Sequence, residues 1–246
     1  MLVVIAGPAA DERLWDQHAA DIVHWPVSPP RDLIRSTLRS PSEVVVHGSL
    51  ADLHRVVGGL HRLGRVSEVP IGFVPAGDDE ETVMFCQLLT LDGTIATAIN
   101  GRIVRLPLVR DDLGGVLLHA GELTRTPSLK PFGAQVFHDD ARIADGRIGA
   151  IRVVPDYGNT TLGVRASIVP AGRGSTRRSL GRSVQVACDE VFAEIDSIPL
   201  EQPLVKRTWY VDDRVHWQLR GATIPLPYEV QIPGARRGPF DLFRRT

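Results

Sequence analysis

The sequence predicts a two-part fold, in which an α/β domain with a mostly parallel sheet is followed by antiparallel β-structure. In residues 1–91, short apolar runs alternate with segments of helical periodicity, as in open parallel sheets. After residue 91, β-branched or alternating runs are separated by Gly, Pro or Asp, which favours an antiparallel sandwich. We therefore expect an α/β domain at 1–91, a β-sandwich at 92–224 and a C-terminal arm or tail at 225–246.

Composition excludes several classes of function. The chain has 246 residues and a net charge of −1 without a block of like charges. The sequence therefore lacks the basic stretch that is typical of proteins that bind nucleic acid. Its two cysteines, Cys86 and Cys188, are too few for a disulfide framework and are expected to be buried thiols. The sequence has neither a signal-peptide pattern nor an apolar stretch long enough to span a bilayer. We therefore expect a cytoplasmic protein.

Each element of the first part is predicted from the spacing of its apolar residues. The predicted strands are Leu2–Ala6, His24–Val27, Glu43–Val46 and Val69–Val74. The predicted helices are Asp11–Ile22, Asp32–Arg39, Asp52–Leu60 and a segment from Gly77 through Leu89. Asp52 is expected to cap its helix.

The second part is expected to contain strands only. These are Thr94–Ile99, Arg102–Val109, Gly115–Leu118, Ile148–Val154, Leu162–Val169, Ser183–Val186 and Val191–Ile195, with a final pair of strands in Trp209–Leu219. Asp145-Gly146 is expected to form a hairpin turn between two of them.

The stretch EVVVHGSLADLHRVVGGL, residues 43–60, combines a strand, a small-residue turn and a helix. Such turns hold phosphate in many folds, because free N–H groups and the helix dipole meet there. Good phosphate turns are rich in glycine, whereas this turn, Gly48–Asp52, has one glycine. A plain strand–helix turn is therefore the alternative interpretation.

Three further fragments stand out along the chain. Val74-Pro75-Ala76-Gly77 is followed by four acidic residues, 78–81. Residues 141–148 read ARIADGRI, and residues 194–198 read EIDSI. Together with the turn at 48–52, these fragments resemble four motifs of the diacylglycerol kinase catalytic-domain family of bacterial lipid kinases, which are relatives of the NAD kinase fold.

The resemblance covers most of residues 1–220, and it implies a Rossmann-like N-terminal domain, a β-sandwich and ATP bound between them. The residues that fall in its nucleotide or phosphate turns are His47, Gly48, Ser49, Asp52, Gly77 and Asp78. In the family the first turn reads GGDGT. Leu50 takes the place of its aspartate, and Ser49 and Ala51 replace two of its glycines.

Most of the residues that carry the family's chemistry are replaced in this chain. The acidic run 78–81 replaces the family's hydrogen-bonding residues; a favourable acidic first helical turn explains it, and Asp78 and Asp79 are the remaining magnesium candidates. The family's V-D-G-E segment falls on Glu194–Ile198, so Asp196 matches its aspartate and Ile198 replaces its catalytic glutamate. We expect no catalytic or metal site. Glu190, Glu194 and Glu201 remain as substitutes for the lost base.

Two basic features offer binding surfaces. Arg173, Arg177, Arg178 and Arg182 lie in one Gly/Ser-rich stretch and are candidates for contact with an anionic ligand; a solvated loop is the alternative. In the tail, Phe240, Leu242 and Phe243 lie among arginines and are candidates for contact with a protein partner or a membrane surface; a frayed terminus is the alternative.

Three hypotheses of function follow. The leading one is a pseudo-kinase with the lipid-kinase fold, which binds an anionic lipid, a nucleotide or a protein. The second is a divergent lipid kinase that uses ATP and Mg²⁺, with Asp52 replacing the turn aspartate. The third is a structural or assembly subunit that docks through the tail. A homodimer and peripheral attachment to a membrane remain open.

Overall fold

A computed structural model describes residues 1–18, 20–125, 130–158 and 163–224. The fold is mostly sheet, with 48% strand and 19% helix. The chain forms two compact units. The first combines Met1–Leu108 with a return segment that begins at Asp213, and the second runs from Val109 to Asp212. The predicted domain bounds at 91 and 224 stay a prediction, whereas these units divide after Leu108.

The described residues contain four α-helices and fourteen strands. The strands are β1 (Leu2–Ala6), β2 (Asp21–Trp25), β3 (Val44–Gly48), β4 (Pro70–Pro75), β5 (Ile103–Asp111), β6 (Val116–Leu117), β7 (Gly121–Thr124), β8 (Phe132–His138), β9 (Ala141–Asp156), β10 (Gly163–Pro170), β11 (Arg177–Gly181), β12 (Ser183–Ile195), β13 (Ile198–Pro199) and β14 (Leu204–Arg220). The helices are α1 (Arg31–Leu38), α2 (Leu50–Arg62), α3 (Glu80–Leu88) and α4 (Ile95–Asn100). In this part of the chain, no helix has the length and apolar character to cross a membrane.

The sheet of the first unit is parallel. Its order is β2-β1-β3-β4, and the last residues of β14 extend it beside β4. Every residue of β1 and β3 is buried, so both faces of these central strands are covered. On one face Val3, Val45 and Val74 pack with Trp15 and Ala98. The predicted parallel sheet is therefore present, and it aligns the carboxyl ends of its strands along one edge.

The second unit is antiparallel throughout the pairings that are described. Its strands follow the order β11-β10-β9-β7-β12, and the first part of β14 lies beside β12. β8 pairs with both β9 and β12. Leu123, Phe132, Ile151 and Trp209 are fully buried members of its core. The change from parallel to antiparallel pairing agrees with the prediction, whereas the sandwich arrangement stays a prediction.

Two predicted elements in the first unit are wrong. The predicted helix Asp11–Ile22 is a single 3-10 turn, Glu12–Trp15, because Asp21 and the residues after it pair with β1 as a strand. The predicted strand Thr94–Ile99 is helix α4. Thr94 caps this helix by accepting the backbone N–H of Thr97, which provides the local signal that the β-branched composition obscured.

Two turns expected in the second part are also absent. Asp145-Gly146 lies inside β9 and not in a hairpin, since Gln135 and Ala134 of β8 pair with these two residues. The pair of strands expected in Trp209–Leu219 is one long strand, β14. In both cases neighbouring strands continue alongside the residues in question, so strand pairing replaces the local turn; Gly146 keeps a φ of +111° within the strand.

Candidate functional site

The turn between β3 and α2 is closed by a capping box. Ser49 is the N-cap residue, with an extended backbone, and its Oγ lies 3.4 Å from the backbone N of Asp52. The Asp52 carboxylate in turn accepts the backbone N–H of Ser49 at 2.9 Å. The prediction that Asp52 caps the helix is therefore wrong in detail: Asp52 is the third helical residue and the reciprocal partner of the cap.

Both oxygens of the Asp52 carboxylate are engaged within the protein. Oδ2 also accepts the hydroxyl of Ser49 at 2.7 Å, and Oδ1 accepts from Arg55 at 2.8 Å. Asp52 is 5% exposed, so this carboxylate is held inside the turn. It occupies the electropositive position at the start of α2 that an anionic ligand would otherwise favour.

The N–H groups of the turn are largely used by the chain itself. Ser49 donates to Asp52, and Leu50 donates to Thr82 Oγ1 at 2.7 Å. Asp52 donates to the carbonyl of Ser49 at 3.1 Å. A Cβ at Gly48 would lie 2.8 Å from Asp52 Oδ2, so glycine permits this close approach. A phosphate would have to displace the Asp52 carboxylate to reach the N–H of Ser49, and Thr82 Oγ1 to reach the N–H of Leu50.

The second predicted turn lies beside the first. Ala76 donates its N–H to the carbonyl of Gly48 at 2.9 Å, and Gly77 has a φ of +85°, which glycine adopts without strain. Asp79 caps α3 by accepting the N–H of Thr82 at 2.9 Å. Asp78 is exposed. The acidic run is thus a capped first turn of a helix, as the interpretation based on the helix dipole predicts.

His47 is buried at the carboxyl end of β3. Its Nδ1 accepts the indole N–H of Trp15 at 3.1 Å, so the neutral ring carries its proton on Nε2. Burial lowers the pKa of His47, and the nearby carboxylate of Asp11 opposes this shift. The ring therefore supports the Trp15 side of the first unit's core.

The candidate Asp196 is a structural clamp. It is 1% exposed, and its carboxylate accepts the N–H groups of Leu118, His119 and Ala120 at 2.7–2.9 Å. Its own N–H donates to the carbonyl of Ala120 at 2.8 Å. These bonds leave Asp196 committed to the loop between β6 and β7. The substitutes Glu190, Glu194 and Glu201 are all exposed.

Sequence reasoning missed a buried charged cluster beside this clamp. Glu122 and Arg152 face each other on β7 and β9 and form an ion pair, and both are 7% exposed. Arg152 also lies 3.5 Å from Nε2 of His119, which must act as the acceptor because guanidinium only donates. Only the pairing of β7 with β9 brings these residues together, and their spacing along the chain carried no signal of it.

The four predicted anion-binding arginines do not form one cluster facing a common point. Arg177 and Arg178 are neighbours on β11, so their side chains point to opposite faces of the strand. Arg173 is exposed in the preceding loop, and Arg182 donates its backbone N–H to Asp139. The assignment of this stretch to an anionic ligand stays a prediction.

The described residues of the first unit line a cavity of about 520 Å³. It is lined by Pro75, Gly77, Thr82, Val83, Cys86, Gln87, Thr90, Leu91, Asp92 and Gly93. Burial raises the pKa of Cys86 to about 11, so this thiol is protonated at neutral pH. Burial likewise raises the pKa of Cys188 to about 11. Neither cysteine is therefore an activated nucleophile.

No group of three or more His, Cys, Asp and Glu side chains in the described ranges is placed to hold a metal ion. Asp79 is used as a helix cap, which leaves Asp78 alone of the two magnesium candidates. The predicted contacts of the tail residues Phe240, Leu242 and Phe243 lie outside the described residues.

Comparison with solved structures gives the fold. The chain is similar to a diacylglycerol kinase from Bacillus anthracis, with a TM-score of 0.66 and 11% identity over 89% of this chain and 96% of that one. It is similar to an NAD kinase from Archaeoglobus fulgidus solved with ATP, with a TM-score of 0.56 and 11% identity over 89% and 93%. It is also similar to yeast NADH kinase solved with NADH, with a TM-score of 0.58 and 9% identity over 91% and 84%.

No protein-family model and no curated protein matches the sequence. Because the sequence identities are near 10%, the similarity shows the fold alone. The chain therefore has the fold of the diacylglycerol kinase-like and NAD kinase proteins.

Proposed function

We propose that this protein is a pseudo-kinase: it keeps the Rossmann-like and β-sandwich scaffold of the lipid kinases and acts by binding, without ordinary lipid phosphorylation. The observation that carries the proposal is the buried Asp52 carboxylate, which accepts the backbone N–H and the hydroxyl of Ser49 in the phosphate-type turn. A triphosphate brought to this turn would meet a buried negative charge and would have to break a capping box.

The residues present do not fit ATP and Mg²⁺. Phosphoryl transfer needs a phosphate cradle, carboxylates that hold the metal, and a positioned base. The turn donors are used internally, Asp79 caps a helix, and Asp196 holds a loop. Ile198, at the position of the family's glutamate, cannot accept a proton.

The alternative of a divergent active kinase requires Asp52 to act as the turn aspartate. Both of its oxygens already accept hydrogen bonds from Ser49 and Arg55, which argues against this role. Binding of an anionic lipid through the arginines of 173–182, a protein partner, homodimerisation and the assembly-subunit hypothesis stay predictions.

The test measures binding of ATP–Mg, ADP–Mg and NAD by thermal shift and calorimetry, together with transfer of phosphate to diacylglycerol. We expect no magnesium-dependent rise in Tm at about 1 mM nucleotide, because a ligand raises Tm only by binding the native state. Asp52→Thr removes the competing carboxylate and restores the residue of the family's turn. We expect nucleotide to raise the Tm of this variant more than that of the unaltered protein. Leu50 is left unchanged because it is fully buried.

The matched control is Asp32→Thr, which replaces an acidic residue in the first turn of α1 in the same way. It should leave nucleotide binding unchanged. Mid-micromolar affinity for ATP–Mg together with turnover in the unaltered protein would overturn the proposal.

A further inference from the structure

The cavity beside α3 is large enough for a small molecule. Its volume of about 520 Å³ lies within the range of about 300–1,000 Å³ that is typical of ligand pockets. All of its lining residues belong to the first unit, and they come from the end of β4, one side of α3 and the turn that follows it.

Helix α3 has apolar residues on more than its core-facing side. Phe85 is buried in the core, and Thr82, which is also buried, lines the cavity together with Val83, Cys86 and Gln87. Val83 is 40% exposed, although it is a branched apolar residue. The thiol of Cys86 is neutral and adds to the apolar wall. A helix with apolar residues away from the core suits an apolar ligand on that side.

The stretch of chain that supplies the lining has only negatively charged side chains among its charged residues. Residues 66–101 contain no Lys, Arg or His. They contain six acidic residues: Glu68, Asp78, Asp79, Glu80, Glu81 and Asp92. Asp92 itself lines the cavity, and the backbone N–H of Thr94 and the hydroxyl of Thr97 lower its pKa, so it is ionised at neutral pH.

The lining thus combines an apolar wall with a negative border. Asp78 and Asp79 directly follow the lining residue Gly77, and Glu80 begins the helix that forms the wall. An anionic amphiphile would place its charge against these carboxylates, whereas a cation would be attracted to them. The apolar wall therefore suits the apolar body of a ligand, and the carboxylates suit a positive charge on the same ligand.

We propose that the cavity between α3 and the turn 90–93 binds a cationic amphiphile, whose apolar body lies along Val83 and Cys86 and whose positive charge faces Asp92. This cavity lies next to the turn of Asp52, because the lining residue Thr82 accepts the N–H of Leu50. It takes a ligand of charge opposite to that of a phosphate.

The test compares three probes with the same ten-carbon chain, decyltrimethylammonium, decanol and decanoate, each used well below its micelle concentration. Binding is read from protection of Cys86 against a thiol reagent in a Cys188→Ser background, at a pH of about 9 so that thiolate is present. We expect decyltrimethylammonium to slow the labelling of Cys86 by about tenfold at saturation. Decanol should bind more weakly and decanoate most weakly, and added salt should weaken only the cation.

Val83→Trp fills the cavity and should abolish protection by the cation. Val205→Trp adds the same side chain at a position that is 52% exposed in the second unit, and it should leave protection intact. The proposal is overturned if decanoate protects Cys86 as well as the cation does. It is equally overturned if no probe protects Cys86, or if Val83→Trp, folded as judged by its melting curve, still binds.

Discussion

Two buried carboxylates, Asp52 in the first unit and Asp196 in the second, accept hydrogen bonds from residues at very different separations along the chain. Asp52 accepts the backbone N–H of Ser49, three residues away, and an N–H of Arg55 three residues further on. Asp196 accepts three backbone N–H groups that lie 76 to 78 residues earlier in the chain. The first carboxylate organises one turn, whereas the second joins two distant segments.

This difference has a consequence for stability. A local capping box can re-form whenever its helix forms, and its loss affects mainly the end of that helix. A clamp across the fold is made only in the native state, and its loss leaves several buried donors without their acceptor at once. Removal of Asp196 should therefore cost more than removal of Asp52.

The largest effect is expected for Asp196→Ala. Three buried N–H groups, those of Leu118, His119 and Ala120, would lose a charged acceptor, and we expect the free energy of unfolding to fall by roughly 3–5 kcal/mol. Urea denaturation measures this change. The control is Glu194→Gln, an exposed change two residues earlier, which should stay within about 0.5 kcal/mol of the unaltered protein. A loss below about 1 kcal/mol in Asp196→Ala would contradict the clamp.

The same contrast explains what could be predicted from the sequence. Strand β3, its turn and α2 are recognisable because their pattern lies within residues 43–60, and the comparison with diacylglycerol and NAD kinase structures confirms the kinase-like fold. The clamp of Asp196 and the ion pair of Glu122 with Arg152 depend on strand pairing between distant segments. No local spacing encodes such pairings, so the roles of these residues were not predictable.

Local patterns also failed where tertiary pairing overrides them. Asp145-Gly146 has the composition of a hairpin turn, yet β8 pairs alongside it and keeps it within strand β9. Thr94–Ile99 has the composition of a strand, yet the cap formed by Thr94 begins a helix. In the first turn, residue spacing identified the position but not the reciprocal bonding of Ser49 and Asp52, which depends on the rotamers of both side chains.

A smaller effect is expected for Asp52→Ala. Loss of the capping box and of the Arg55 pair should lower the free energy of unfolding by about 1–2 kcal/mol. Arg55→Gln removes only the ion pair and should cost about 0.5 kcal/mol, which separates the two contributions. Urea denaturation of both variants tests this order. If Asp52→Ala proves as costly as Asp196→Ala, the distinction between a local and a long-range carboxylate does not hold.

The smallest effect concerns the pH dependence of stability at His47, next to the first turn. Burial lowers the pKa of His47 below its ordinary 6.5, so the unfolded chain binds a proton more readily than the native protein as the pH falls through about 6.5. The stabilisation is complete above that pH and is lost progressively below it, with a slope of at most about 1.4 kcal/mol per pH unit. Protonation would also place an N–H of the ring against the indole N–H of Trp15.

His47→Gln cannot titrate, so its unfolding free energy should depend less on pH. Between about pH 7 and pH 5 it should flatten that dependence more than the exposed change His24→Gln does. Equal slopes in these two variants would show that the pair of His47 and Trp15 does not couple protonation to the fold.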